Sequence, residues 1–182
     1  MMSESNTRQL KSLFFLLFSL FLASCSSGSP SPENLIQNPG FEDQSVSWGT
    51  FQSTVQRVQG GAHQGNWSLE VKASPGQQAY SAWQELKGKI IEGKAYIVTG
   101  WVKGQGGAIG QKLCVLAREA GGSAPFEDGE SCYTLTGEWQ PVSSSRTISP
   151  GRTILQVHFF RPNQVRPDDV FLMDDMHLRE ID

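Results

Sequence analysis

The chain reads as an all-β protein, a β-sandwich of the jelly-roll, galactose-binding-domain-like type, on three observations. After Leu35 no stretch of a dozen residues carries apolar side chains at i, i+3, i+4 and i+7, the spacing that makes a helix. Alternating runs recur instead. Tyr96, Val98 and Val102 alternate with Ile97, Thr99 and Trp101, and Leu113, Val115 and Ala117 with Cys114, Leu116 and Arg118. Leu155, Val157 and Phe159 likewise alternate with Gln156, His158 and Phe160. Turn clusters separate the runs, among them Gly60-Gly61, Ser74-Pro75-Gly76, Gly121-Gly122 and Ser149-Pro150-Gly151. With the further β-runs Trp67–Val71, Tyr80–Leu86, Trp139–Ile148 and Val170–Leu178, roughly eight to ten short strands are expected, the number a sandwich uses.

The first residues belong to a different class. Arg8 and Lys11 precede an almost wholly apolar run from Ser12 to Leu22, too short to cross a bilayer comfortably and of the length of a signal-peptide core. It closes on Leu22-Ala23-Ser24-Cys25, the pattern of a bacterial lipobox, in which the cysteine takes the lipid. The expected organisation is therefore a signal peptide over residues 1–24, a lipid-anchored Ser/Pro linker over 25–33 and a β-sandwich over 34–182. The linker, Ser26-Ser27-Gly28-Ser29-Pro30-Ser31-Pro32 at its centre, reads as a solvated spacer. These signals place the protein in the bacterial cell envelope. Ser26 after the cysteine, rather than an acidic residue, tilts the expectation toward an outer membrane or cell surface.

A net charge of −3 with no basic stripe argues against nucleic acid as a partner. With Cys25 lipidated, Cys114 and Cys132 remain as a candidate disulfide in an oxidising compartment, or as two buried thiols. Catalytic signatures are absent: there is no Gly-x-Ser-x-Gly, no His-Glu-x-x-His and no cysteine–histidine metal spacing. The acidic clusters Glu127-Asp128 with Glu130, and Asp168-Asp169, read as solvated loops.

Two short stretches frame the domain. Asn38-Pro39-Gly40-Phe41-Glu42-Asp43 is a turn followed by an apolar anchor and an acidic pair, and Met173-Asp174-Asp175-Met176 puts carboxylates inside a β-run. Carboxylates interrupt such a run where something positive sits beside them. If the two ends meet, Glu42 and Asp174 are candidate ligands of a structural calcium ion, with turn carbonyls near Gly40 and Gly65 completing an oxygen shell. A salt bridge to a basic side chain is the competing explanation.

Asn34-Leu35-Ile36-Gln37-Asn38-Pro39-Gly40-Phe41-Glu42, Trp48 and Gly65-Asn66-Trp67-Ser68-Leu69-Glu70-Val71 begin an ordered series of motifs. Gly93-Lys94-Ala95-Tyr96, Gly100-Trp101-Val102-Lys103, Gly137-Glu138-Trp139-Gln140 and Met173-Asp174-Asp175 complete it. In this order they resemble the jelly-roll carbohydrate-binding modules of families 4, 9 and 22, the type carried by cellulases and xylanases. The resemblance spans about residues 34–180. It implies a non-catalytic module that binds a poly- or oligosaccharide, with a separate glycoside hydrolase as a possible partner, and of the two aspartates it selects Asp174 for the metal. Such modules usually flank a catalytic domain, whereas this one makes up nearly the whole chain.

Sugar recognition needs aromatic faces for the C–H surfaces of pyranose rings and polar side chains for their hydroxyls, each stacked ring being worth about 1–3 kcal/mol. If Leu155, Val157 and Phe159 face the core, Gln156 and His158 face outward. By the same count Trp83 and Trp101 oppose the core positions of their strands. With loop aromatics Phe51 and Phe126 as walls, the expected groove is Phe51, Trp83, Trp101, Phe126, Gln156 and His158. Trp48, Trp67 and Trp139 are expected in the core. Two other readings stay open. One is a glycoside hydrolase or lyase on the same fold, marked by facing carboxylates. The other is a structural envelope lipoprotein that binds another protein.

Overall fold

The computed structural model describes residues 33–44, 47–122, 127–163, 165–166 and 168–181, the side chains of 127 and 128 excepted. Cys25, with its signal segment and linker, and Phe126 lie outside the described residues. Ten strands follow in chain order: β1 (Gly49–Phe51), β2 (Ser53–Gln59), β3 (Trp67–Ala73), β4 (Tyr80–Lys87), β5 (Ala95–Gly106), β6 (Lys112–Ala120), β7 (Glu127–Thr134), β8 (Gln140–Thr147), β9 (Ile154–Arg161) and β10 (Asp169–Ile181). They form two antiparallel five-stranded sheets, ordered β1-β4-β9-β6-β7 and β2-β3-β10-β5-β8. The protein is an all-β sandwich, as its alternating runs require.

Alternation decides what the sandwich buries. Leu155, Val157 and Phe159 of β9 are fully buried, as are Val98 and Val102 of β5 and Leu113 and Val115 of β6. The other face of each strand is left to solvent or to loops. Phe41, the anchor after the Asn-Pro-Gly turn, is buried against Trp48, whose ring meets Phe159 edge-on. Truncating a ring such as Phe159 to alanine typically costs about 3–5 kcal/mol.

The two ends of the domain are stitched together. Asn34 donates from Nδ2 to the Met176 carbonyl (2.9 Å) and accepts from the Leu178 amide (2.9 Å). Leu35 N–H bonds the Leu178 carbonyl, and Met176 N–H bonds the Pro39 carbonyl. Cys114 and Cys132 are disulfide-bonded partners directly opposite each other on β6 and β7, 18 residues apart in sequence.

Three expectations are corrected. Trp139 is not core. It sits in the β7–β8 loop, half-buried, with its indole N–H on the Gly61 carbonyl (3.0 Å). Trp67 is only partly buried, with the Arg57 guanidinium 4.1 Å above its ring. Asp169 is no solvated loop acid. It is 1% exposed and paired with the equally buried Arg161 (2.5 Å and 3.1 Å), and it accepts the Tyr80 hydroxyl (2.7 Å). A buried acid of this kind is tolerated because every charge in the group has a partner.

Candidate sugar-binding face

The outer face of the β1-β4-β9-β6-β7 sheet is a grid set by strand register. Phe51, Ser81, Phe160, Cys114 and Cys132 lie across one row. Gly49, Trp83, His158, Leu116 and Glu130 form the next, and Glu85, Gln156 and Arg118 a third. Because directly opposed residues share a face, the register alone brings these side chains together. At about 4.8 Å between neighbouring strands, the rows run ~19 Å from β1 to β7.

A hollow of about 430 Å³ lies in this face, lined by Thr50, Phe51, Ser81, Trp83, Leu116, Arg118, Gln156, His158 and Phe160. Phe51 stands at its rim, 47% exposed. The rings of Trp83 and His158 stack at 5.8 Å between centroids and 18° between planes. Gln156 donates from Nε2 to Glu85 Oε2 (3.0 Å), which turns its carbonyl oxygen toward His158 Nε2 (3.4 Å). The result is a flat aromatic floor with a fixed row of amide and imidazole groups beside it. That combination suits a sugar ring, apolar on its C–H face and polar around its edge. A larger hollow of about 640 Å³ beside Lys72, Pro75 and Arg166 has no aromatic ring in its lining.

Four of the expected groove residues, Phe51, Trp83, Gln156 and His158, share this hollow. Trp101 does not. It faces outward as its alternation predicts, but β5 belongs to the other sheet, so it lies on the opposite side of the sandwich. Leu116 and Arg118 were grouped on one side of β6 by their alternation. What the sequence lacked was the pairing of β6 with β9 that carries them into the hollow.

The carboxylates at the two ends of the domain converge on the loop between β2 and β3. Glu42 Oε1 accepts the amides of Asn66 (2.7 Å) and Trp67 (3.0 Å). Asp174 Oδ2 accepts those of His63 (2.8 Å) and Gln64 (3.0 Å), and its Oδ1 accepts Asp175 N–H (2.7 Å). Gly65 has φ +69°, and a side chain there would collide with the Glu42 carboxylate, so the close approach requires glycine. Gly40 lies on the other side of Asp174, where an added Cβ would sit 3.9 Å from Oδ1.

Among the described residues neither carboxylate forms an ion pair with a lysine or arginine side chain, although Arg57 lies close enough to lower the Glu42 carboxyl slightly. The nearby Arg57 spends its donors on the carbonyls of Phe41 (2.6 Å) and Glu42 (2.7 Å). Asp174, fully buried, is held only by backbone amides among its described partners. Burial, reinforced by the neighbouring Asp175, pushes its carboxyl above the ordinary value despite those amides. Glu42 is exposed, and the two amides hold its carboxyl below the ordinary value. A buried carboxylate with no cationic partner among the described residues, and a second acid bound to the same loop, are oxygen donors of the kind a hard cation takes.

The family model for the CBM_4_9 carbohydrate binding domain matches residues 33–168. Among curated proteins no sequence matches this chain. Similar solved structures include the CBM22-1 xylan-binding domain of Paenibacillus barcinonensis Xyn10C, with 15% identity and a TM-score of 0.68; the match covers 85% of this chain and 98% of that one. TmCBM61 in complex with beta-1,4-galactotriose has 20% identity and a TM-score of 0.54, covering 82% and 99%. The CBM22-1-GH10 modules of Clostridium thermocellum Xyn10B, complexed with xylohexaose, have 13% identity and a TM-score of 0.60, covering 75% and 26%. At these identities the structures establish the shared fold, and the family match establishes kinship: this chain belongs to the CBM_4_9 family of carbohydrate-binding domains.

Proposed function

We propose that the protein is a lipid-anchored, non-catalytic module of the bacterial envelope that holds a glycan chain across the outer face of the β1-β4-β9-β6-β7 sheet. The observation that carries this reading is the hollow in which Phe51, Trp83, His158 and Phe160 meet the amide of Gln156. Binding is favoured over hydrolysis because two-carboxylate glycoside chemistry needs a pair of acids about 5–10 Å apart. Among the described residues the lining of the hollow includes no acid, and the nearby Glu85 holds Gln156. Held at the membrane through a lipid on Cys25, such a module would keep polysaccharide close to a separate glycoside hydrolase.

Calcium is assigned a structural role in this proposal. Glu42 and Asp174, with carbonyls near Gly40 and Gly65, would hold the ion and fasten the beginning of the domain to its last strand.

The test is a panel of immobilised neutral and charged glycans probed with the full chain, its Phe51→Ala variant and its Cys25→Ala variant. At least one glycan is expected to retain the full chain and to release Phe51→Ala more readily. Cys25→Ala should bind the same glycan but leave the membrane fraction. Equal retention of Phe51→Ala would contradict the assigned face.

A further inference from the structure

The opposite side of the sandwich repeats the chemistry of the first. On the outer face of β5, Trp101 is stacked with the His63 ring at 3.8 Å between centroids and 14° between planes, and Trp139 stands edge-on to the same imidazole at 6.0 Å. Trp83 and His158 make the corresponding pair in the groove. Beside each histidine is a polar group set at a fixed place: Gln156 in the groove, Asp175 here. Asp175 Oδ2 is 3.8 Å from His63 Nδ1, and Oδ1 is 3.1 Å from His177 Nε2.

The backbone departs from regular geometry to put Asp175 there. β10 breaks its register between Asp174 and His177, and Asp175 takes φ +52°, a conformation that aspartate and asparagine tolerate better than other residues with a side chain. The bulge turns the Asp175 carboxylate to the surface, 28% exposed, while Asp174 next to it is wholly buried.

A hollow of about 480 Å³ opens at this place, within the size range of small-ligand sites. Thr99, Trp101, Tyr133, Ser143, Asp175 and His177 line it, an indole with hydroxyls, one carboxylate and one imidazole. No lysine or arginine is among its lining residues, so an acidic sugar would meet no counter-charge. His63 does not line it, which leaves part of the Trp101 indole facing the hollow rather than the loop.

We propose that the hollow beside Trp101 is a second sugar-binding site, independent of the groove, that takes a sugar of a neutral glycan. It rests on the reading of the chain as a carbohydrate-binding domain, and makes each molecule bivalent, with sites on opposite faces of the sandwich. Two weak sites on one chain raise retention on a polymer well beyond that of either alone.

The experiment is a nuclear magnetic resonance titration of the full chain in detergent with xylohexaose and with β-1,4-galactotriose. It follows the indole N–H signals and the amides of Thr99, Ser143 and His177. His177→Ala and Asp175→Asn serve as the disrupting variants because the His177 side chain is exposed, that of Asp175 partly so, and asparagine tolerates the positive φ at 175. Phe51→Ala disrupts the groove alone.

Two sets of shifts are expected, saturating independently. His177→Ala should weaken the Trp101 set at least fivefold and leave the Trp83 set unchanged, and Phe51→Ala should do the reverse. Shifts confined to the Trp83 face, unmoved by His177→Ala, would overturn the second site and leave the groove standing. Shifts confined to the Trp101 face would overturn the groove and keep this site. No shifts with either sugar would count against both.

Discussion

Gly49 lies directly opposite Trp83 in the β1–β4 ladder, and the indole of Trp83 fills the space that a side chain at 49 would need, 2.6–2.9 Å from the position of its Cβ. The aromatic floor of the groove therefore depends on a residue with no side chain on the neighbouring strand. Gly49→Val should push the indole off its seat and weaken glycan binding by about 1–3 kcal/mol, the value of a stacked ring. Titration of the variant beside the wild-type chain checks this. Unaltered affinity would mean that Trp83 does not need that position.

Arg161, Asp169 and Tyr80 tie β9, β10 and β4 together inside the sandwich. Asp169→Asn should cost about 3–5 kcal/mol, since it leaves the Arg161 charge buried without its partner. Burial alone would raise the Asp169 carboxyl, but Arg161 and Tyr80 outweigh it and hold the carboxyl below the ordinary value. Its contribution is therefore full above the ordinary carboxylate range and lost as pH falls through the lowered value. Glu119 has the same sign: burial raises it, but the Arg146 guanidinium and Ser149 amide lower it further. Denaturation followed from pH 7 downward should show stability falling at acid pH, with the loss reduced in Asp169→Asn.

The calcium proposal makes the opposite prediction for Asp174. Its carboxyl is raised by burial, so in the metal-free chain ionising it destabilises the fold, and stability should rise as pH drops through that raised value. A bound cation removes this behaviour. At a hundredfold excess over Kd it contributes about 2.7 kcal/mol, which is several degrees in Tm. Chelator should lower the Tm, calcium should restore it and Asp174→Ala should abolish the difference. Identical melts of metal-loaded and chelated chain would rule the ion out.

The Cys114–Cys132 bridge closes a loop of 18 residues and lies in the same cross-strand row as Phe51 and Phe160. Replacing both cysteines by serine should cost about 3 kcal/mol. Denaturant unfolding under oxidising conditions measures it, with the wild-type chain matching the variant once reductant is added.

Much of this was legible in period-two alternation. Gln156, His158 and Trp83 face outward because Leu155, Val157, Ala82 and Leu86 face the core, a relation local to each strand. Alternation says which side of a strand a residue occupies but not which sheet the strand joins, so Trp101 was placed with Trp83 although the two lie on opposite faces. The same blindness to distant pairing hid Arg161 from Asp169, whose meeting depends on how β9 and β10 pack. Trp139 escaped the core because its polar edge found the Gly61 carbonyl across the domain. Glu42 and Asp174 stand out in the sequence because their types are unusual where they stand, at a glycine turn and inside a strand.

The most direct measurement of the central claim is calorimetric titration of the full chain and its Trp83→Ala variant, using the glycan that the full chain retains best. The groove reading predicts an affinity lower by about 1–3 kcal/mol, roughly fivefold to more than a hundredfold, with Tm nearly unchanged. Unchanged affinity in a folded Trp83→Ala protein would contradict it.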